Sequence, residues 1–153
     1  MAEMEKEWLL MVDCAARGNP GEAGCGAAIC DETGAVVIEL SRHLGHTTNN
    51  VAEYEALLPG LEALLHMGRK NIRVQSDSQL LVRQLNGEYR VKDEKLKVLF
   101  QRAVSLLRRF ESYRILHVPR ELNKLADRLP IGALIVPTNE MRWAKVDQAI
   151  ASA

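Results

Sequence analysis

Near residue 48 the hydrophobic pattern of this chain changes period, and that change constrains the fold more than any other feature. Before it, residues 8–13 (WLLMVD), 25–30 (CGAAIC) and 35–40 (AVVIEL) are short, largely apolar runs. They are separated by Arg17-Gly18-Asn19-Pro20-Gly21 and Asp31-Glu32-Thr33-Gly34. Runs of that length bounded by Gly, Pro, Asn and Asp read as strands, and tight turns between them make an antiparallel meander. After it, Thr47-Thr48-Asn49-Asn50 supplies capping groups, and Val51, Tyr54, Leu57, Leu58, Leu61, Leu64 and Leu65 recur at helical spacing up to Gly68. A helix placed there carries the chain back across the sheet, so the next strand, residues 71–75, lies parallel to the first.

The remaining pattern extends that layout. Ser76-Asp77-Ser78 hands the fourth strand to a helix with Leu80, Leu81, Val82 and Leu85, closed by Asn86-Gly87. Leu96, Leu99, Phe100, Val104, Leu106 and Leu107 mark a third helix within residues 93–110, and residues 113–118 form a fifth strand stopped by Pro119. Residues 121–129 read as a further helix. The expected fold is α/β: a five-stranded mixed sheet, its first three strands antiparallel and the rest parallel, flanked by helices. Residues 1–132 make one domain, and residues 133–153, beyond Pro130, form a tail with a short helix carrying Trp143, Val146 and Ile150 on one face.

Composition narrows the function classes. The formal net charge is zero, so any nucleic-acid site must be local rather than a global basic surface. No apolar stretch approaches the roughly 20 residues that span a bilayer, and the N-terminal MAEMEKEWLL lacks the basic region of a secretory signal. Three cysteines, Cys14, Cys25 and Cys30, are too few for a disulfide framework. A cytoplasmic protein without a membrane partner is expected, with Cys14 and Cys25 as reduced thiols even if the first two strands bring them opposite one another.

Four acids fall where elements meet: Asp13 in or at the end of the first strand, Glu53 early in the first helix, Asp77 just after the fourth strand, and Asp127 in the last helix. Adjacent first and fourth strands would set Asp13 and Asp77 side by side at one end of the sheet. Clustered carboxylates repel and raise one another's pKa unless a cation joins them. An oxygen-only ligand set suits Mg²⁺ or Mn²⁺ rather than zinc, and two such ions can promote phosphodiester hydrolysis without a nucleophilic side chain. The competing reading gives each acid a local role: Asp77 as a helix cap, Glu53 as a first-turn charge, Asp127 as a solvated helix residue.

Four segments taken in order resemble type 1 ribonuclease H: Asp13-Cys14-Ala15-Ala16-Arg17-Gly18-Asn19-Pro20-Gly21, Thr48-Asn49-Asn50-Val51-Ala52-Glu53, Ser76-Asp77-Ser78 and Asn123-Lys124-Leu125-Ala126-Asp127. The resemblance spans about residues 8–129. It implies an endonuclease that cuts the RNA strand of RNA–DNA hybrids, using two Mg²⁺ ions with Mn²⁺ as a substitute, and leaves 3′-hydroxyl and 5′-phosphate ends. It assigns Asp13 to both metals, Glu53 and Asp77 to the metal near the leaving 3′ oxygen, and Asp127 to the metal that orients the attacking water. It also places the hybrid against Gly18, Asn19, Asn49, Asn50 and Gln79, with Thr48 and Lys92 gripping a DNA-strand phosphate. Helix capping is an equally good role for Thr48 and Asn49, and Lys92 reads equally as a solvated lysine.

The chain departs from the family pattern in three places. Cys14 stands where the family usually has Gly, and Pro130 interrupts the last helix soon after Asp127. The segment 118–123 enters that helix directly, without the family's histidine-bearing loop, and His117 falls within the fifth strand. Arg90, Lys92, Lys95 and Lys97 are interleaved with acids rather than forming a basic protrusion. These features resemble the short subgroup of the family. The expectation is a monomer needing no protein partner; the alternatives are a catalytically weak or inactive hybrid-binding domain, or an integrase-like or transposase-like enzyme.

Overall fold

The computed structural model describes residues 7–18 and 20–119. Its elements run β1 (Trp8–Gly18), β2 (Gly21–Cys30), β3 (Val36–Thr47), α1 (Asn49–His66), β4 (Asn71–Ser76), α2 (Gln79–Leu85), α3 (Glu94–Leu107) and β5 (Ser112–His117). The strands lie in the order β3-β2-β1-β4-β5. β1 and β3 each pair antiparallel with β2, and β4 runs parallel to both β1 and β5. The mixed sheet and the crossover through α1 are those expected from the sequence.

Local chemistry fixes the ends of the elements. Asp31 Oδ1 accepts from the Thr33 amide at 2.9 Å, the Thr33 hydroxyl at 2.6 Å and the Ala35 amide at 3.1 Å, closing the β2–β3 turn around Gly34 at φ +90°. α1 starts at Thr48, whose hydroxyl oxygen accepts from the Val51 amide at 3.3 Å. It ends in a paired cap, with the Gly68 amide on Leu65 O and the Arg69 amide on Leu64 O, Gly68 taking φ +75°. α2 ends the same way, through Gly87 on Gln84 O and Glu88 on Arg83 O.

The core lies between α1 and the sheet. Leu57, Leu61 and Leu64 of α1 pack with Leu10, Val12, Ile29, Leu40, Ile72 and Val74, and Leu99, Ala103 and Leu107 of α3 join the same cluster. α1 approaches β1 closely because Gly60 carries no side chain: a Cβ there would sit 2.7 Å from Leu10 Cδ1. This contact sets the height of α1 over β1. Met11, Ala28 and Cys30, with Leu9 against them, form a second, smaller cluster. Among the described residues no helix is long and apolar enough to cross a membrane.

The structure revises two expectations and shows one of the two roles left open for Thr48. β1 runs on past Asp13 to Gly18, β2 begins at Gly21, and β3 continues to Thr47, because the ladders from Cys14↔Cys25 to Gly18↔Gly21 and from Cys25↔Arg42 to Gly21↔Thr47 run through small and polar residues that show no strand periodicity. Cys14 and Cys25 were expected as separate thiols, but the β1–β2 ladder sets them directly opposite, Cα atoms 4.2 Å apart, and their sulfurs are bonded. Thr48 takes the capping role. The expected helix 121–129, the tail helix, the domain boundary near residue 132, Pro130, Asp127 and Asn19 lie outside the described residues.

Candidate metal centre

β1 pairs with β4 in the register Trp8↔Ile72 to Val12↔Ser76, so the next residue of each strand, Asp13 and Asp77, emerges at the same end of the sheet. The first turns of α1 pass over that end and bring Glu53 down to them. One carboxylate oxygen from each of Asp13, Glu53 and Asp77 lies within 4.8 Å of the others. Asp13 is 2% exposed and Glu53 5%, while Asp77 is half-buried.

The local-role reading fails for both of the acids it can be tested on here. Ser78, not Asp77, caps α2, its hydroxyl oxygen accepting from the Leu81 amide at 3.3 Å. Glu53 lies beyond the first turn of α1, which carries no acid, and it is buried rather than facing solvent.

Backbone and side-chain groups around these carboxylates orient them. The Cys14 amide donates to Asp13 Oδ1 at 2.8 Å and lies near enough to the Glu53 carboxylate to favour its charged form. The Ser76 hydroxyl also favours the charged form of Glu53, and its oxygen accepts from the Ser78 amide at 3.0 Å. Glu53 Oε2 is nonetheless buried with no hydrogen bond. Burial first, and the charge of Asp77 second, push the Glu53 carboxyl up to about 8, against the opposing hydrogen bonds from Cys14 and Ser76. A buried oxygen atom left without a donor, in a cluster made only of carboxylates, suits a hard divalent cation. The residues present therefore fit such an ion, with Asp13, Glu53 and Asp77 as its ligands.

The residues expected to contact nucleic acid fall on several elements. Asn49, exposed, and Asn50, half-buried, open α1, and exposed Gln79 opens α2. Both helices thus begin next to the acids they carry or follow. Gly18 closes β1 opposite Gly21. Lys92 is exposed in the segment between α2 and α3, and His117 ends β5 as expected, paired with Ser76. Sequence reasoning missed two supports: the Cys14 amide, which no side-chain pattern can signal, and the Ser76 hydroxyl, visible only as part of Ser76-Asp77-Ser78. It also missed the buried hydrogen bond from the Tyr54 hydroxyl to Gln84 Oε1, 2.7 Å, which ties α1 to α2 behind the site.

Comparison with known proteins gives consistent matches. Residues 11–130 match a family model described as reverse transcriptase-like. The chain is 42% identical over 122 residues to ribonuclease HI of Halobacterium salinarum, covering 80% of this chain and 61% of that protein. The N-terminal RNase H domain of Rv2228c from Mycobacterium tuberculosis, solved as a fusion with maltose binding protein, is 37% identical with a TM-score of 0.80 over 83% of this chain and 98% of that one. LC11-RNase H1, solved in complex with an RNA/DNA hybrid, is 41% identical with a TM-score of 0.78 over 83% and 96% of the two chains. The chain spans 61% of the full length of the Halobacterium relative and 35% of the bifunctional protein Rv2228c.

Proposed function

Because the chain belongs to the ribonuclease H family, we propose that it is an endoribonuclease that hydrolyses the RNA strand of RNA–DNA hybrids by a two-metal-ion route, leaving 3′-hydroxyl and 5′-phosphate ends. The observation that carries this reading is the convergence of Asp13, Glu53 and Asp77, with Glu53 Oε2 buried and accepting no hydrogen bond. Asp127 completes the ligand set. Magnesium, with manganese as its substitute, supplies positive charge that stabilises the charge developing during in-line phosphodiester hydrolysis.

The chain's own groups do the rest. Glu53 must lose its proton to act as a ligand, and the Cys14 amide and Ser76 hydroxyl favour that charged form and hold its orientation. The Cys14 amide fixes Asp13 in the same way. Asn49, Asn50 and Gln79 address the hybrid's minor groove from the two helix starts, while the backbone at Gly18 and Asn19 meets RNA 2′-hydroxyls, the feature that separates RNA from DNA. Thr48 caps α1 through its oxygen and keeps its hydroxyl proton for a DNA-strand phosphate, which it grips together with Lys92. Residues 1–132 form this catalytic domain, which acts as a monomer.

The test is a substrate panel with end analysis: labelled RNA–DNA hybrid, RNA duplex, DNA duplex and single-stranded RNA, each with Mg²⁺, Mn²⁺ or EDTA. Metal-dependent cutting of the hybrid's RNA alone, giving 5′-phosphate fragments, is the expected result. Binding of hybrid without cutting in either metal would replace the enzyme with a binding domain.

A further inference from the structure

The Cys14–Cys25 bond has no part in the acid chemistry, yet it is built into the frame of the metal centre on three sides. Cys14 follows Asp13 directly, and its amide donates to Asp13 Oδ1 and favours the charged form of Glu53 nearby. Cys25 sits opposite on β2. Its sulfur lies 3.0 Å from the carbonyl oxygen of Ala52, the residue before Glu53. The bonded pair thus joins the backbone of one acid, the neighbouring strand and the helix turn that carries a second acid. Cys25 is fully buried, whereas Cys14 is half-buried, so a small reductant can reach the sulfur of Cys14.

We propose that Cys14–Cys25 is a redox-responsive modification site that sets the divalent-cation affinity of the Asp13–Glu53–Asp77 cluster, with a small dithiol as its reductant. This rests on the metal-binding reading above. One thiol of the reductant attacks Cys14 Sγ, forming a mixed disulfide as the protein S–S bond breaks and Cys25 leaves and takes a proton. The second thiol of the reductant then attacks its own bound sulfur, closing the reductant's disulfide and releasing Cys14 as a thiol. Two electrons and two protons pass to the protein.

Reduction changes the site in two ways. The two sulfurs must move from bonding to van der Waals separation, an increase of about 1.5 Å. The opposed Cα atoms are held by the ladder, so the movement falls on the Cys14 side chain and the local backbone, whose amide holds Asp13 and favours the charged form of Glu53. Cys25 Sγ also gains a hydrogen, which turns its contact with Ala52 O into a hydrogen bond that the bonded sulfur cannot make. Both changes act on groups that orient Asp13 and Glu53 rather than on the acids themselves.

The experiment titrates Mn²⁺ by calorimetry into oxidised wild-type protein, into wild type reduced with dithiothreitol and desalted without oxygen, and into Cys25→Ala. Alkylation after unfolding counts the thiols in each sample, and circular dichroism checks the fold of the variant. Loss of an outer-shell partner costs roughly 10–100-fold in metal affinity, and here the amide is displaced rather than removed, so reduced protein is expected to bind about threefold to tenfold more weakly. Cys25→Ala is expected to bind like reduced wild type and to ignore dithiothreitol. Oxidised and reduced wild type binding within about twofold of each other would overturn this proposal alone. Alkylation of all three cysteines after treatment with an oxidised dithiol would overturn it too. Absence of Mn²⁺ binding in both forms would overturn the metal reading and this proposal with it.

Discussion

Replacing Glu53 by glutamine should make the metal-free protein more stable above neutral pH, by an amount that its burial sets. In the folded chain the Glu53 carboxyl is pushed up to about 8, from an ordinary value of 4.5, mainly by burial and then by the charge of Asp77. Between those two values the folded state keeps a proton that the unfolded state has released, so stability falls as pH rises. The contribution of this group is fully present below pH 4.5 and is lost by about pH 8. At about 1.4 kcal/mol per pH unit, the loss across that window has a ceiling of about 5 kcal/mol. Glutamine keeps the shape without the charge. Urea unfolding of wild type and Glu53→Gln in EDTA, from pH 5 to about pH 9, should show the curves converging at the acid end and the variant ahead at the alkaline end. Saturating Mg²⁺ should then stabilise the wild type and leave the variant unmoved. A variant no more stable than wild type at pH 8 to 9, or a difference independent of pH, would refute the reasoning.

Three further substitutions test the frame around the acids. Tyr54→Phe leaves Gln84 Oε1 buried without its 2.7 Å donor and should lower unfolding stability by about 1–3 kcal/mol, with less lost when Gln84→Leu removes the orphaned acceptor as well. Ser76→Ala removes a hydrogen bond that favours ionised Glu53, so the pH midpoint for Mn²⁺ binding should rise, and Ser76→Thr should restore it; an unchanged midpoint in Ser76→Ala would exclude that role. Gly60→Ala gains about 1 kcal/mol of helix propensity but drives a methyl to 2.7 and 2.8 Å from the buried Leu10 methyl groups, so a net loss of up to about 2 kcal/mol is expected in a denaturant melt. A gain in stability would show that Leu10 has room to retreat.

Much of this was legible from the residues because it depends on periodicity and turn chemistry. The change at residue 48, Gly34, Gly68 and the capping hydroxyls each announced an element end, and the crossover through α1 placed Asp13 beside Asp77. What stayed hidden depends on backbone geometry. Pairing of Cys14 to Gly18 with Gly21 to Cys25 requires only amides and carbonyls, so no hydrophobic pattern marks where β1 and β2 end. The opposition of Cys14 and Cys25 was foreseen from a pairing of the first two strands, but the bond between their sulfurs was not, because a count of cysteines reads them as reduced thiols. Thr48 shows how one group serves two readings: a capping hydroxyl and a phosphate ligand have the same sequence signature, and only the structure shows that the oxygen accepts from Val51. Glu53 was legible as an acid near a helix start, but its burial depends on how α1 packs over the sheet, which no sequence pattern marks.

The central claim is that the converging acids carry hydrolysis rather than binding. Single-turnover cleavage of an RNA–DNA hybrid in Mg²⁺, with hybrid affinity measured in parallel, tests it directly for Asp13→Asn, Glu53→Gln and Asp77→Asn. The account predicts that each variant still binds hybrid and that cleavage falls by at least about 100-fold in each, as for loss of a group that stabilises developing charge. Cleavage at wild-type rate in any of the three, with the fold intact, would contradict it.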